Sequence, residues 1–332
     1  MRWAEARAAL PDPFSEAPRR DWSAATWRLR EQGLGRFRDW AEAEQLLGRD
    51  TPAAACVTRS VVERYHEFLT TRNAGYTIAS RLEELSAALG VLAPDQDWTW
   101  INRAAGRIRA RTVPARDKAS RLRPIQEIVA TGFAICKDAE ESATLSPLSR
   151  AVEYRDGLLV AFLGLHALRR HDLARIELDK HLVPHANGFT LEVPVSKSRD
   201  RKIFAAEISG VLAEHLLRYL SHYRPQLLAR GRSFSLALWI SEKGTHMEEG
   251  NLAVRIRKAA KRYGMDLSPH LVRSCAATTV AIEAPEAIDM MPAVLTHSDW
   301  ATTAHYYALA TGIVASRRHA SVIADLRRRT KE

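Results

Sequence analysis

Cysteine is scarce in this chain of 332 residues: Cys56, Cys136 and Cys275 are scattered, and none combines with histidine at zinc-site spacing. A disulfide framework is thereby excluded and a reducing interior expected. No run of about 18 apolar residues occurs, and the opening stretch MRWAEARAALPDPFSEAP has no apolar core of signal-peptide length. A soluble, cytoplasmic protein without membrane association is the expectation. Internal repeats and low-complexity tracts are missing too. Strand-like alternation is confined to one short region, and the length suits two domains with a sizeable core.

Positive charge is abundant. The 49 Lys and Arg outnumber the 39 Asp and Glu, for a net charge of +10. Residues 150–332 hold 27 bases against 19 acids, and residues 1–149 hold 22 against 20. Within the earlier part, residues 103–123 (RAAGRIRARTVPARDKASRLR) contain eight bases and one acid. Such clustering suits a polyanionic partner, because neutralised phosphates release their counterions. Arg109, Arg111, Arg116, Lys118 and Arg121 are the bases expected to track a nucleic-acid backbone between two domains. A solvated linker is the plainer reading of the same segment.

Helical periodicity dominates the first part. Trp22, Trp27, Leu34, Phe37 and Trp40 recur near helical spacing over residues 21–47, although Gly33 and Gly35 suggest two shorter helices. A helix starting at Thr58 or Ser60 carries Val61, Tyr65, Phe68 and Leu69 on one face. Another spans residues 77–89, and one more follows Asp97 as N-cap, with Trp98 and Ile101 facing inward. Aromatic residues at helical spacing are read as core rather than as base-stacking platforms. Residues 125–137 form a further short helix that periodicity assigns to neither domain.

The second domain opens at Ser146-Pro147, a good helix start, and residues 158–163 are continuously apolar, as in a helix buried on most sides. Arg169 follows, with Asp172 at helical spacing. The carboxylate could hold the guanidinium toward a cleft, where its fork matches phosphate oxygens, or the two could form a surface salt bridge. Phe189, Leu191, Val193 and Val195 alternate with polar residues as a strand, which Pro194 marks as an edge. The turn SKSRDR then carries Lys197, Arg199, Arg201 and Lys202 at the tip of a hairpin. A basic tip of that kind suits groove entry and proton delivery to a leaving oxygen. A helix over residues 209–223 ends at Pro225, residues 236–240 are a short strand, and residues 251–263 are helical. That last helix gathers Arg257 and Lys258 among other bases, a face that suits DNA, although a solvated face is the commoner fate of such a charge run.

Residues 267–307 read LSPHLVRSCAATT, an apolar connector, and LTHSDWATTAHYY. His270 and Arg273 stand three apart, which suits grasping an anion while moving a proton. Tyr306 follows His297 by nine residues, and a phenolic oxygen can serve as a nucleophile. With Arg169 and Lys197, the order Arg, Lys, His, Arg, His, Tyr resembles the tyrosine recombinases, the phage-integrase family. Ala167-Leu168-Arg169 matches the first-arginine box, Lys197 the hairpin lysine, and His270 to Arg273 the H-x-x-R box with Ala277-Thr278 continuing it. Leu295, His297, Thr302-Thr303 and Tyr306 match the final box. Three departures stand out. Ala167 and Thr296 replace glycines common in the family, and Leu271-Val272 replaces an acidic residue and leucine.

The resemblance covers the second half of the chain well and the N-terminal helices loosely. It implies a mainly α fold with a small antiparallel sheet: a helical core-binding domain joined to an α+β catalytic domain. The expected divisions are an N-terminal extension over 1–20, a DNA-clamping domain with its arginine-rich linker over 21–123, and a catalytic domain over 145–312. A C-terminal helix and basic tail over 313–332 would dock on a neighbouring subunit. The resemblance also implies cleavage and rejoining of DNA through a 3′-phosphotyrosyl intermediate. Tyr306 would be the nucleophile, Arg169, Arg273 and His297 the phosphate clamp, Lys197 the acid for the leaving oxygen, and His270 the proton-transfer assistant. Tyr307 and Lys202 are the rivals for nucleophile and acid. Implied partners are double-stranded DNA with specific recombination sites and a homo-tetramer on paired sites, in a nucleoid-associated setting, with no cofactor and no metal. A catalytically inactive DNA-binding relative, a type IB topoisomerase and a basic RNA-binding protein are the alternative readings. A metal held by His166, His171, His181 and His185 is disfavoured by Pro184.

Overall fold

The structure, a computed structural model, describes residues 2–8, 22–48, 51–113, 119–196 and 202–295, together with Ile323 and Arg328. The chain divides into two compact units, Met1–Asp117 and Lys118–Glu332.

The first unit contains helices α1 (Arg2–Ala8), α2 (Ala24–Ala43), α3 (Arg59–Thr70), α4 (Gly75–Leu92) and α5 (Thr99–Arg111). Side-chain caps start two of them: Ser23 Oγ accepts from the Thr26 amide at 3.2 Å and Thr58 Oγ1 from the Val61 amide at 3.3 Å. Phe37, Trp40 and Tyr65 pack with ring centroids 5.0 to 5.7 Å apart, and Trp27 and Trp98 are buried as well. These aromatics are therefore core. The glycines do not break α2 as expected. A Cβ on Gly33 would lie 2.4 Å from the Cβ of Glu84, so the glycine admits a close crossing with α4 instead. There the buried Glu84 carboxylate receives Arg36 at 3.3 Å and Arg81 at 3.0 Å. Asp97 is not the N-cap of α5; Trp98 takes that place, and Asp97 Oδ1 accepts from the Thr99 amide at 2.8 Å.

In the second unit α6 (Ile125–Glu141) and α7 (Pro147–His166) form the central pair. Ser146 caps α7, accepting from the Ser149 amide at 3.2 Å, with Pro147 in the first turn. A Cβ on Gly132 of α6 would meet the Ala161 amide nitrogen at 2.4 Å, so this glycine sets how closely the helices approach. The segment that periodicity assigned to neither domain thus belongs to the second unit. Residues 158–163 of α7 are buried throughout, as a continuous apolar run requires.

Among the described residues the sheet has three antiparallel strands in the order β1 (Leu182–His185), β2 (Gly188–Pro194) and β3 (Ile203–Ile208). β2 is central rather than an edge. Its Pro194 is nonetheless tolerated, because amides of successive residues point to opposite neighbours. The Val195 amide bonds toward β3 (Lys202 carbonyl, 2.9 Å) and the Glu192 amide toward the segment before β1 (His181 carbonyl, 2.8 Å). The donor that Pro194 lacks would point to the β1 side, where pairing has already ended. β1 itself escapes sequence reading, its four residues holding a proline and a histidine. Residues 236–240 form isolated bridges, Glu177 with Ala237 and Ile240 with His246, rather than a regular strand.

Pro225 does not end its helix either. α9 (Gly210–Arg218) widens into a π-helical turn, Tyr219–Tyr223, and continues as α10 (Arg224–Leu228). The wider turn accommodates a residue that lacks an amide donor and crowds the preceding turn. Arg224 is buried and donates to the carbonyls of Ser235 at 2.6 Å and Ala237 at 2.7 Å. Helices α11 (Glu249–Arg262), α12 (Pro269–Glu283) and α13 (Met291–Val294) follow.

A buried ion network joins α7 to α11. Asp156 Oδ1 accepts from Arg155 at 2.6 and 3.0 Å, and Asp156 Oδ2 accepts from Arg255 at 2.7 Å. Arg155 also donates to the Ile240 carbonyl at 2.7 Å. Removing one partner of such a pair strands a charge in the interior, which costs about 3–5 kcal/mol. Asp156→Ala is expected to destabilise the second unit by that amount in denaturant unfolding. Glu153→Ala breaks the half-exposed pair with Arg262 and should cost no more than about 1 kcal/mol.

Candidate functional site

Three stretches of the second unit converge on Arg273. α12 starts at a capped turn, with Ser268 Oγ accepting from the Leu271 amide at 3.3 Å, and its first turn places His270 on the exposed surface. One turn later Arg273 is buried, and its guanidinium donates from Nη1 to the Ala167 carbonyl and from Nη2 to the Leu295 carbonyl. Ala167 precedes Arg169 by two residues, and Leu295 precedes His297 by two. One side chain of the H-x-x-R helix is therefore bonded to the approaches of both other boxes.

α7 ends at Ala167 in the left-handed conformation, φ 46° and ψ 34°. Here glycine is the common residue in the family that the sequence resembles, and the backbone shows why. A side chain in this region costs on the order of 1 kcal/mol, which glycine avoids. The turn delivers Arg169, half-buried, to the N-cap position of the short helix α8 (Arg170–Ala174). Asp172 of α8 is buried, and its Oδ1 accepts from the Ser196 amide at 3.1 Å. The carboxylate thus anchors the chain at the residue before Lys197, a link that helical spacing from Arg169 did not suggest. Glu249 at the start of α11 holds the other side of α8, pairing with Arg170 and His171 at 3.3 Å each.

Lys197, His297, Tyr306 and the rival Tyr307 lie outside the described residues, as do Arg116, Lys118, Arg199, Arg201 and, except for Ile323 and Arg328, residues 313–332, where a C-terminal helix and basic tail were expected. Lys202 is exposed at the base of the hairpin. Arg109 bonds both carboxylate oxygens of Glu83 at 2.7 Å, and Arg121 reaches Asp266 at 2.8 Å, so part of their charge is met within the protein. Arg111 is exposed, and so are Arg257, Lys258 and Lys261 on one side of α11, whereas Arg255 of the same basic run turns inward to Asp156. The histidines have separate tasks: His181 Nδ1 accepts from the Glu177 amide at 3.1 Å and His185 Nδ1 from the Asn187 amide at 3.2 Å. Among the described residues no group of three or more His, Cys, Asp or Glu side chains could hold a metal ion.

The phage integrase family model matches residues 138–312. The chain belongs to the phage integrase family. Among solved structures, this family member is similar to the XerH site-specific recombinase bound to difH substrate in a pre-cleavage complex. The TM-score is 0.60 at 15% identity, covering 86% of this chain and 78% of that one. It is also similar to a lambda integrase (75-356) dimer bound to a COC′ core site, with a TM-score of 0.53 at 14% identity, covering 87% of this chain and 90% of that one. No curated protein matches the chain in sequence. At such identities the likeness is one of fold: a mainly helical chain with a small antiparallel sheet, as in tyrosine recombinases. Among the described residues no helix is long and apolar enough to cross a membrane.

His166 sits just before the Ala167 turn of this integrase fold. Its ring packs beside Phe162 and Phe204, its Nε2 has no hydrogen-bond partner among the described residues, and burial pushes its pKa down to about 4. The unfolded chain binds the proton more tightly, so the stabilisation is complete above about pH 6.5 and drains away as the pH falls toward 4. Unfolding measured from pH 7 to 4 should show a loss of about 3 kcal/mol from this residue. His215, also depressed by burial, adds to the same trend. His166→Leu is expected to flatten the slope without abolishing it.

Proposed function

We propose that the protein is a site-specific DNA recombinase that breaks and rejoins strands through a 3′-phosphotyrosyl intermediate. One observation carries this: the Arg273 guanidinium ties the H-x-x-R helix to the carbonyls just before Arg169 and His297. Asp172, anchored to the amide before Lys197, supports the same convergence. Five of the six positions, all but Tyr306, therefore sit on, or within two residues along the chain of, segments held by these bonds.

In this reading the Tyr306 phenolic oxygen attacks the scissile phosphorus while the bond to the 5′-oxygen breaks. Lys197 gives its proton to that leaving oxygen, and His270 accepts or returns the tyrosine's proton. Arg169 and Arg273 neutralise the non-bridging oxygens where charge gathers, with His297 donating a further hydrogen bond. The tyrosine ester keeps the phosphoryl group bound covalently, so the freed 5′-hydroxyl of a partner strand can reverse the step. Arg111, Arg257 and Lys258 are proposed to face the duplex, with the other bases of the connector and hairpin. Assembly as a tetramer on paired sites, within the nucleoid, belongs to the same proposal.

The test is covalent trapping on nicked duplexes cut from the DNA flanking the gene. A protein–DNA adduct resistant to denaturation is expected. Its absence from every flanking segment would overturn the enzyme and favour a DNA-binding relative. Relaxation of supercoiled plasmid without any specific site would point to a topoisomerase.

A further inference from the structure

We propose that residues 121–126, which lead into α6, are a positioning strap for the helix that carries His270 and Arg273. This rests on the recombinase reading and adds elements to its machinery.

Four consecutive attachments define the strap. Arg121 Nη2 donates to the Asp266 carboxylate at 2.8 Å, just before α12, and the Arg123 amide donates to Cys275 Sγ at 3.4 Å. The Ile125 amide donates to Thr279 Oγ1 at 3.0 Å, and Gln126 Nε2 donates to the Glu283 carboxylate at 3.1 and 3.2 Å. Cys275, Thr279 and Glu283 recur every four residues and so form one stripe of α12. The attachments advance along that stripe in chain order, with Arg123 lying before α6 and Ile125 and Gln126 in its first turn.

Its bonds are also the ones α6 needs. Pro124 stands at the N-cap of α6 without a side-chain cap, leaving the first amides of that helix to find partners elsewhere. Thr279 supplies one. Cys275 and Thr279 are buried, so these contacts are not diluted by water as the exposed Asp266 pair is.

The arrangement holds α12 on two sides. The Arg273 guanidinium fastens it to Ala167 and Leu295, and the strap fastens a separate stripe to the chain arriving from the arginine-rich connector. A displacement near 1 Å in a phosphoryl-transfer site can cost about 100-fold in rate. A strap that fixes the rotation and height of α12 thus acts on His270 and Arg273 without touching DNA. It also joins the chain segment proposed to follow the DNA backbone directly to the catalytic helix.

Thr279→Val keeps the side-chain shape and removes the acceptor; Thr279→Ser restores it. In the DNA-free protein, hydrogen exchange over residues 270–278 is expected to quicken roughly tenfold in Thr279→Val and to return near wild type in Thr279→Ser. At saturating nicked DNA, adduct formation should slow roughly tenfold in Thr279→Val while DNA affinity stays within about twofold. Gln126→Ala, at an exposed contact, should quicken exchange at the Glu283 end and guards against a misfolded Thr279 variant. Unchanged exchange in both variants overturns the strap. Faster exchange with an unchanged adduct rate overturns its positioning role. Should the wild type form no adduct, the recombinase reading fails while exchange still decides the strap.

Discussion

Tyr306→Phe is expected to leave no protein–DNA adduct on a nicked substrate that traps the wild type, whereas Tyr307→Phe is expected to trap normally. The substitution keeps the ring and its packing and removes only the oxygen that would form the ester. Other groups of the proposed site stabilise charge or move protons, and none can replace the atom that bonds phosphorus. The loss should therefore reach the detection limit of a denaturing gel, on the order of 1000-fold or more. The assignment rests on register: Tyr306 stands nine residues after His297, as in the family's final box, and Tyr307 stands ten. An adduct that survives Tyr306→Phe and vanishes in Tyr307→Phe would move the role by one residue.

Arg273→Lys should slow adduct formation by about 100- to 1000-fold at saturating DNA, the range for losing one preorganised donor from a transition-state clamp. The positive charge survives, so DNA affinity at moderate salt should change little. What goes is the planar fork, which bonds two carbonyls in directions that an ammonium on a flexible stem does not reproduce. The same loss should loosen the chain that the Arg273 guanidinium holds at Ala167 and Leu295. Limited proteolysis in the absence of DNA checks this. Arg273→Lys should open the segments near Ala167 and Leu295. Proteolysis unchanged from the wild type would reduce Arg273 to a phosphate ligand alone.

Much of the helical scaffold was legible because its signals are local. Ser146-Pro147 marked the start of α7, Thr58 capped α3, and Trp98 and Ile101 faced inward at helical spacing. The misreadings share one cause. Gly33 and Pro225 each looked like a break and Pro194 like the mark of an edge, and each is absorbed by a partner or geometry elsewhere: the crossing at Glu84, the π-helical turn, and the end of β1. Local propensity reports what a residue disfavours, while tertiary neighbours decide whether that cost is incurred. β1 was missed for the complementary reason. Four residues that include Pro184 and His185 have no alternation of their own and are strand only because β2 pairs with them.

The same division holds for the site. By itself the sequence determined the family and suggested the proposed chemistry, because Arg169, Lys197, His270, Arg273, His297 and Tyr306 match the family's boxes by type, order and spacing along one dimension. Tertiary structure alone decided which of the many bases are exposed and which are engaged within the protein. Arg255 and Arg257 are neighbours in one basic run, yet Arg255 is engaged by Asp156 and Arg257 is exposed. It also decided that Asp172 holds the Ser196 amide and that Arg273 bonds the approaches to two other boxes. Each of these partners lies from about 20 to more than 100 residues away in the chain, beyond the reach of any local pattern. Charge and hydrogen bonding act through space, and only the fold says which groups are close.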